Sequence, residues 1–449
     1  MKNLIVTTCL AMSAAVMGNS YAQSQPASAS ATVTASGQTT GLTLAQAMQL
    51  ALDNHPTLRI ARREIDAQTG ALMQAGARPN PELSVLQEDF RNASRTTTFQ
   101  LTQSIELAGK RHYRVEAGEA AQRVASLDAQ TAETTVRSEV VTRYFETLSA
   151  TALVALATET QDIAQDTYAA TRRRVQAGKI SPVDEGRAQI ALNNAQIEVA
   201  SARASLSRAR GRLSQALGVS DTTLPQQLAG DLDALPQLPV WSSLVSALPT
   251  TPAMRSASEE INRRDAMARL ERAQRVPDVS VSLGLKRVTD SGRTDNQAVV
   301  GLSIPLPIFD TRGGAAMEAA QRADMARDAY DGVRQQQQAL LQASYAEFSA
   351  VREATLSLRD NILPQAERAY DATRRGFLLG KFGFLDVLDA QRTLSQARSQ
   401  YMTSIANTYA AYATASLAVG GTVDGVALLS PEYLSSALST SPNPPTSAK

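Results

Sequence analysis

Cysteine is all but missing from this chain of 449 residues: Cys9 is the only one, and it lies deep in an apolar leader segment. Whatever follows the leader therefore has neither disulfides nor a thiolate metal site, and Cys9, followed by Leu10, Ala11 and Met12, does not read as a lipidation site. Histidine is nearly as scarce. His55 and His112 fall in different elements and do not make a metal centre, and no pairing of nucleophile and base stands out, so neither an enzyme nor a bound cofactor is expected. Aromatics amount to only 4%, which disfavours a bulky globular core; frequent alanine suits helices packed closely side by side. The net charge of +1 gives no argument for nucleic-acid binding, and no nucleic-acid partner is expected. Beyond the leader no long apolar run is evident, so membrane spanning by a helix is not expected.

The two ends read as processing and solvated segments. Lys2, the apolar residues 4–16 and Ser20-Tyr21-Ala22 form a signal peptide over 1–22, cleaved after Ala22. Residues 23–41, rich in Ser, Ala, Thr, Gln and Pro, form a flexible lead, and the tail 421–449, finishing near Ser441-Pro442-Asn443-Pro444-Pro445, is expected to be disordered at its end.

Between them the chain repeats itself. Asn54-His55-Pro56 and the residues through Pro81 match Thr250-Thr251-Pro252 through Pro277 at an offset of 196, and Tyr168-Ala169-Ala170-Thr171-Arg172-Arg173 matches Tyr370-Asp371-Ala372-Thr373-Arg374-Arg375 at 202. The first copy spans 42–220 and the second 242–420, with a linker at 221–241. Each copy contains a long helical tract, 109–177 and 313–379, which at 1.5 Å per residue predicts a rod of about 100 Å in the first, and Pro364 should kink or interrupt the second. The return helix of the first copy carries three stripes. Ala188, Ala195, Ala202, Ala209 and Ala216 recur every seven residues; Leu192, Val199, Leu206 and Leu213 flank them; Val183, Ile190, Ile197 and Ala204 lie on another side. Two adherent sides suit a stave between two neighbours. The second copy keeps the small seam at Ala390, Ala397, Ser404, Ala411 and Ala418.

Two hairpins interrupt the helices, with strands at about 82–91 and 96–105 and at about 279–288 and 297–306. Val279, Val281, Leu283 and Leu285 alternate with Ser280, Ser282 and Gly284, and ten residues is about the length a tilted membrane strand needs. Four strands cannot close a barrel, and lipid forbids an open edge, so sister copies must complete it, three copies supplying about twelve strands. The expected fold is mainly α with a transmembrane β section: a trimeric α/β-barrel channel with four strands per protomer in a 12-stranded barrel, a long periplasmic α-helical barrel, and an internal duplication. The rival from another class is a periplasmic coiled-coil scaffold that binds partners without transport.

Several segments resemble the outer membrane efflux proteins typified by the TolC channel, in particular the cobalt-zinc-cadmium and copper-silver components. They are Leu42-Thr43-Leu44-Ala45-Gln46-Ala47, Ala75-Gly76-Ala77-Arg78-Pro79-Asn80-Pro81, Gln103-Ser104-Ile105-Glu106-Leu107-Ala108-Gly109-Lys110-Arg111 and Pro305-Leu306-Pro307-Ile308-Phe309-Asp310. The resemblance implies a homotrimer in outer membrane lipid that extends into the periplasm. It also implies docking onto a periplasmic adaptor (membrane fusion protein) and an inner-membrane pump of the resistance-nodulation-division type. The implied role is a passive exit duct, for heavy-metal cations or, alternatively, for drugs or other organic compounds.

The hairpin tips carry the candidate site residues. Gly178, Lys179, Gly380 and Lys381 stand where the long helices reverse, and Asp184, Glu185, Asp386 and Asp389 stand beside them. In a trimer each acid becomes a ring of three carboxylates, placed to gate the periplasmic mouth or to meet an adaptor.

Overall fold

A computed structural model describes residues 41–436 apart from 90–93, 226, 231, 233, 292, 380 and 424. The leader, nearly all of the flexible lead and the end of the tail lie outside these residues, and so does Gly380.

Each copy opens with a short helix followed by a longer, capped one. Helix α1 (Leu44–Asn54) starts in a capping box, in which the Gln46 N–H donates to Thr43 Oγ1 (3.3 Å) and the Thr43 N–H to Gln46 Oε1 (2.9 Å). Helix α2 (Pro56–Gly76) has proline in its first turn, and His55 Nδ1 accepts from the Thr57 N–H at 3.2 Å, so this histidine is a helix cap. Strands β1 (Glu82–Glu88) and β2 (Ser94–Ile105) follow, then α3 (Lys110–Gln176), 67 residues long, and the return helix α4 (Pro182–Leu217).

After α5 (Trp241–Ala247) the second copy repeats the plan. Helix α6 (Pro252–Ala273) is capped by Thr251, the counterpart of His55; β3 (Val279–Asp290) and β4 (Arg293–Ser303) form the second hairpin. Helix α7 (Gly313–Ser357) runs through a π-helical turn, Leu358–Ile362, into α8 (Leu363–Leu378), and α9 (Phe384–Ala418) returns. The interruption expected at Pro364 is thus a single wide turn just before it. One extra residue per turn gives the ring room, and the helix continues.

The core gathers where α1, α3, α4, α7 and α9 meet. Phe145 and Tyr409 stack at 3.3 Å with an interplanar angle of 5°, and Tyr144, Tyr412, Leu217, Leu341 and Ile405 are buried around them. The hydroxyls of the three tyrosines fix the chain passing over the core. Tyr144 donates to the Leu42 carbonyl (2.8 Å), with that of Ala229 also in reach, Tyr409 to Ala234 (2.7 Å) and Tyr412 to Leu428 (2.8 Å). Residues 221–241, expected as a linker, are therefore held against the core at these points. The start of the tail is packed as well, through the two-residue strands β5 (Thr422–Val423) and β6 (Val426–Ala427) and helix α10 (Pro431–Ser436), with Val423, Leu428, Leu429 and Leu434 buried. Burial pushes the Tyr144 hydroxyl up to about 12. One expectation needs correction: among the described residues, a stretch of α3 is long and apolar enough to cross a bilayer, but half of it is buried inside the protomer. It belongs to this core.

Candidate functional site

The four long strands form one antiparallel sheet in the order β1-β2-β3-β4. Its register sorts most side chains onto two unlike faces, with Leu86 and Val299 as apolar exceptions on the polar side. Leu83 pairs with Leu101, Leu101 with Leu283, and Leu283 with Val300; the next row runs Val85, Phe99, Leu285, Ala298. Every large member of these rows is exposed, from 49% at Leu101 to 75% at Val300, so a continuous apolar face is left uncovered by the protomer. The opposite face presents Ser84, Thr98, Gln100, Thr102, Ser280, Ser282 and Ser303, with Lys286 toward the hairpin turns, where it lies 3.9 Å from Glu88. Gly284 belongs to this face, and a Cβ there would stand 2.7 Å from the Phe99 carbonyl oxygen, so glycine permits the close approach of β2 and β3. Among the described residues β1 pairs only with β2, and β4 only with β3, so both sheet edges are open.

Where the sheet meets the helices, one ion pair ties the two copies together. Lys110 Nζ lies 2.6 Å from Asp278 Oδ1, with the lysine side chain only 8% exposed, and the same carboxylate accepts from the Leu107 N–H at 3.2 Å. The sequence motif contained Lys110, but its partner is 168 residues away and nothing in the spacing marked the pair.

At the far end, both helix reversals use one device. Gly178 sits at φ +69°, its N–H donating to the Val175 carbonyl (2.8 Å) and that of Lys179 to Arg174 (2.9 Å), a Schellman closure. Lys381 donates to the Gly376 carbonyl at 2.8 Å, the same bond displaced by 202 residues in both donor and acceptor. The return helices then start differently. Ser181 caps α4, its Oγ accepting from the Val183 N–H at 3.2 Å, whereas Asp386 reaches back to accept from the Gly383 N–H at 2.8 Å. Asp184 lies 3.5 Å from Arg187, and Glu185 lies 3.9 Å from Arg172; Asp386 and Asp389 are exposed. Across the tips, the Arg174 guanidinium stands over the Phe377 ring at 5.1 Å.

Between sheet and tips, the stripes of α4 separate as their periodicity implies. Ala188, Ala195, Ala209 and Ala216 are buried, as are Leu192, Val199 and Leu213, with Ala202 and Leu206 half-buried, while Val183, Ile190 and Ile197 are 60–68% exposed.

The sequence matches the family described as Outer membrane efflux protein over residues 47–219 and 244–421. It is 39% identical over 373 residues to the cobalt-zinc-cadmium resistance protein CzcC of Cupriavidus metallidurans, covering 83% of this chain and 88% of that protein. It is 30% identical over 315 residues to the nickel and cobalt resistance protein CnrC of the same organism, covering 68% and 72%. In fold it is similar to the crystal structures of CusC (TM-score 0.72 at 18% identity, 84% of this chain and 92% of that one). It is likewise similar to the open state of the Neisseria gonorrhoeae MtrE outer membrane channel (TM-score 0.71 at 19% identity, 84% and 89%).

Proposed function

Since this chain belongs to the outer membrane efflux protein family, we propose that it is the duct through which heavy-metal cations leave the cell. It is the outer membrane channel component of a tripartite efflux system and extends into the periplasm. The observation that carries this reading is the sheet with an apolar face, a polar face and two open edges. In hydrocarbon an unpaired edge costs several kcal/mol per backbone group, so β4 of one copy must pair with β1 of the next until the wall closes. The apolar rows then meet lipid, and the hydroxyl-rich face lines the pore. Serine, threonine and glutamine can replace part of a cation's hydration without holding it, which suits a passive exit. A periplasmic adaptor and an inner-membrane pump of the resistance-nodulation-division type deliver the cargo.

Metal cargo is supported by the two relatives named for resistance to cobalt, zinc, cadmium and nickel. Deleting this channel from its host is expected to lower tolerance to at least one of these cations by several-fold, read as growth against metal concentration. Tolerance that falls only toward organic compounds would replace the metal reading with the organic one.

Gly178, Lys179 and Lys381 stand at the reversals, Gly380 of the same sequence motif lies outside the described residues, and the acids beside them, in threefold rings, gate the periplasmic mouth or receive the adaptor. Asn at 386 keeps a cap acceptor while removing the charge. The double substitution Asp386→Asn, Asp389→Asn is therefore expected to preserve the trimer, raise closed-state conductance and reduce preference for cations in planar bilayers. Unchanged conductance and selectivity would reject the gate.

A further inference from the structure

The apolar rows of the sheet are too short to cross a bilayer by themselves. On β3 the lipid-side positions are apolar from Val279 to Leu285 and stop at Arg287, which pairs with Thr97 and Asn296. The six residues from Val279 to Leu285 cover about 20 Å along the strand and about 16 Å along the membrane normal at the usual tilt, whereas such a wall carries an apolar band of about 25 Å. The missing length lies at the helix end. After β4 the chain runs Ile304-Pro305-Leu306-Pro307-Ile308-Phe309 without a polar side chain, and Leu306, Ile308 and Phe309 are 74%, 70% and 99% exposed. The first copy lacks this extension: only residues 106–109 join β2 to α3, against 304–312 between β4 and α7.

A hollow of about 460 Å³ opens beside the extension, lined by Leu306, Ile308 and Phe309 on the apolar side and by Arg275, Asp310 and Arg312 on the polar side. Arg275 Nε donates to the Thr311 carbonyl at 3.2 Å, and Arg312 Nη1 donates to Gln274 Oε1. Each arginine thus bonds to the residue next to the other, and uncharged acceptors hold both heads at one corner. Asp310 is occupied by the Arg312 backbone N–H, which it accepts at 2.8 Å. In the matching hollow of the first copy, Arg114 is instead bound by Glu106 at 2.6 Å, so its charge is already answered.

We propose that this hollow holds a phospholipid of the periplasmic leaflet, its headgroup phosphate bound by Arg275 and Arg312 and the tops of its acyl chains resting on Leu306, Ile308 and Phe309. The site rests on the channel reading above. Two observations select this occupant. The apolar residues continue the lipid face of β4, and the guanidinium pair stands at their helix-side border, which is the order in which a phospholipid presents tails and phosphate. The charge is also complementary: guanidinium forks match phosphate oxygens, and an anion between the two heads removes their mutual repulsion. The partner copies leave the site open, because the matching hollow of the first copy is open although α6 packs on α3 beside it.

The test uses the purified full-chain trimer in detergent. Phosphatidylglycerol is expected to raise the wild-type melting temperature by several degrees, and native mass spectrometry to find one retained phospholipid per chain. Arg275→Gln with Arg312→Gln should lower that occupancy about ten-fold and abolish the thermal shift. Undiminished lipid retention by this variant overturns the site. Inorganic phosphate should give no shift, since it lacks acyl chains; a shift equal to that from lipid overturns the lipid as occupant. If the double variant fails to assemble, the depth of residue 309 supplies a second readout. Phe309→Trp in a Trp241→Phe background, reconstituted with phosphatidylglycerol brominated near the top of its acyl chains, is expected to lose most of its fluorescence, and unquenched emission overturns the site. A trimer that conducts without retaining lipid overturns the site alone; a chain that never enters a bilayer overturns the channel reading as well.

Discussion

Leu283→Arg is expected to abolish the membrane trimer, while Ser282→Arg, one residue away, leaves it assembled and lowers cation conductance several-fold. The contrast follows from the register. Leu283 stands in the row Leu83, Leu101, Leu283, Val300 and is 59% exposed on the face that meets lipid. Arginine near the midplane of such a wall costs about 2–4 kcal/mol, and a trimer incurs it three times over, enough to consume most of the stability of an ordinary domain. Ser282 pairs with Thr102 and Gly301 on the polar face, where a long cationic side chain extends into water. Three such charges in one ring repel cations without disturbing the wall. Detergent extraction followed by gels of heated and unheated samples reads the first effect, and planar bilayers read the second. The opposite outcome, a stable Leu283→Arg trimer and a lost Ser282→Arg trimer, would exchange the two faces.

The second large effect is at the junction of sheet and helices. Asp278→Ala should destabilise the trimer by about 3–5 kcal/mol, because it leaves the ammonium of Lys110 buried without its counter-charge and the Leu107 N–H without its acceptor. Removing both charges in Lys110→Met, Asp278→Leu should recover much of the loss, since a buried pair gives little net stability over well-packed apolar groups. Thermal melting of the trimer measures both variants. A single variant no weaker than the double would mean that the pair is solvated and does not clamp the two copies.

The sequence exposed those parts of the architecture whose periodicity is local. Alternation in residues 279–285 marked a strand with two unlike faces, the Gly178-Lys179 pair marked the first helix reversal, and the heptad spacing of α4 separated a mostly buried alanine seam from an uncovered aliphatic flank. What stayed hidden depends on contacts between distant residues. Lys110 and Asp278 are invisible to any short window; so are the three tyrosine hydroxyls that hold residues 221–241 and the start of the tail to the core. The capping by Asp386 is hidden for a different reason: an acid in the first helical turn can cap, pair or face a pore, and its bond to the Gly383 N–H shows the cap without deciding whether the exposed carboxylate also faces the pore. The π turn before Pro364 belongs between the two cases, since the proline was visible but the way the helix accommodates it was not.

All of this turns on the sheet being one part of a wall that sister copies complete. The most direct measurement is the stoichiometry of the purified full chain in lipid nanodiscs together with its conductance in a planar bilayer. Three chains per particle and a steady aqueous conductance are the predicted result; a folded single chain that remains in the aqueous phase and never conducts would contradict it.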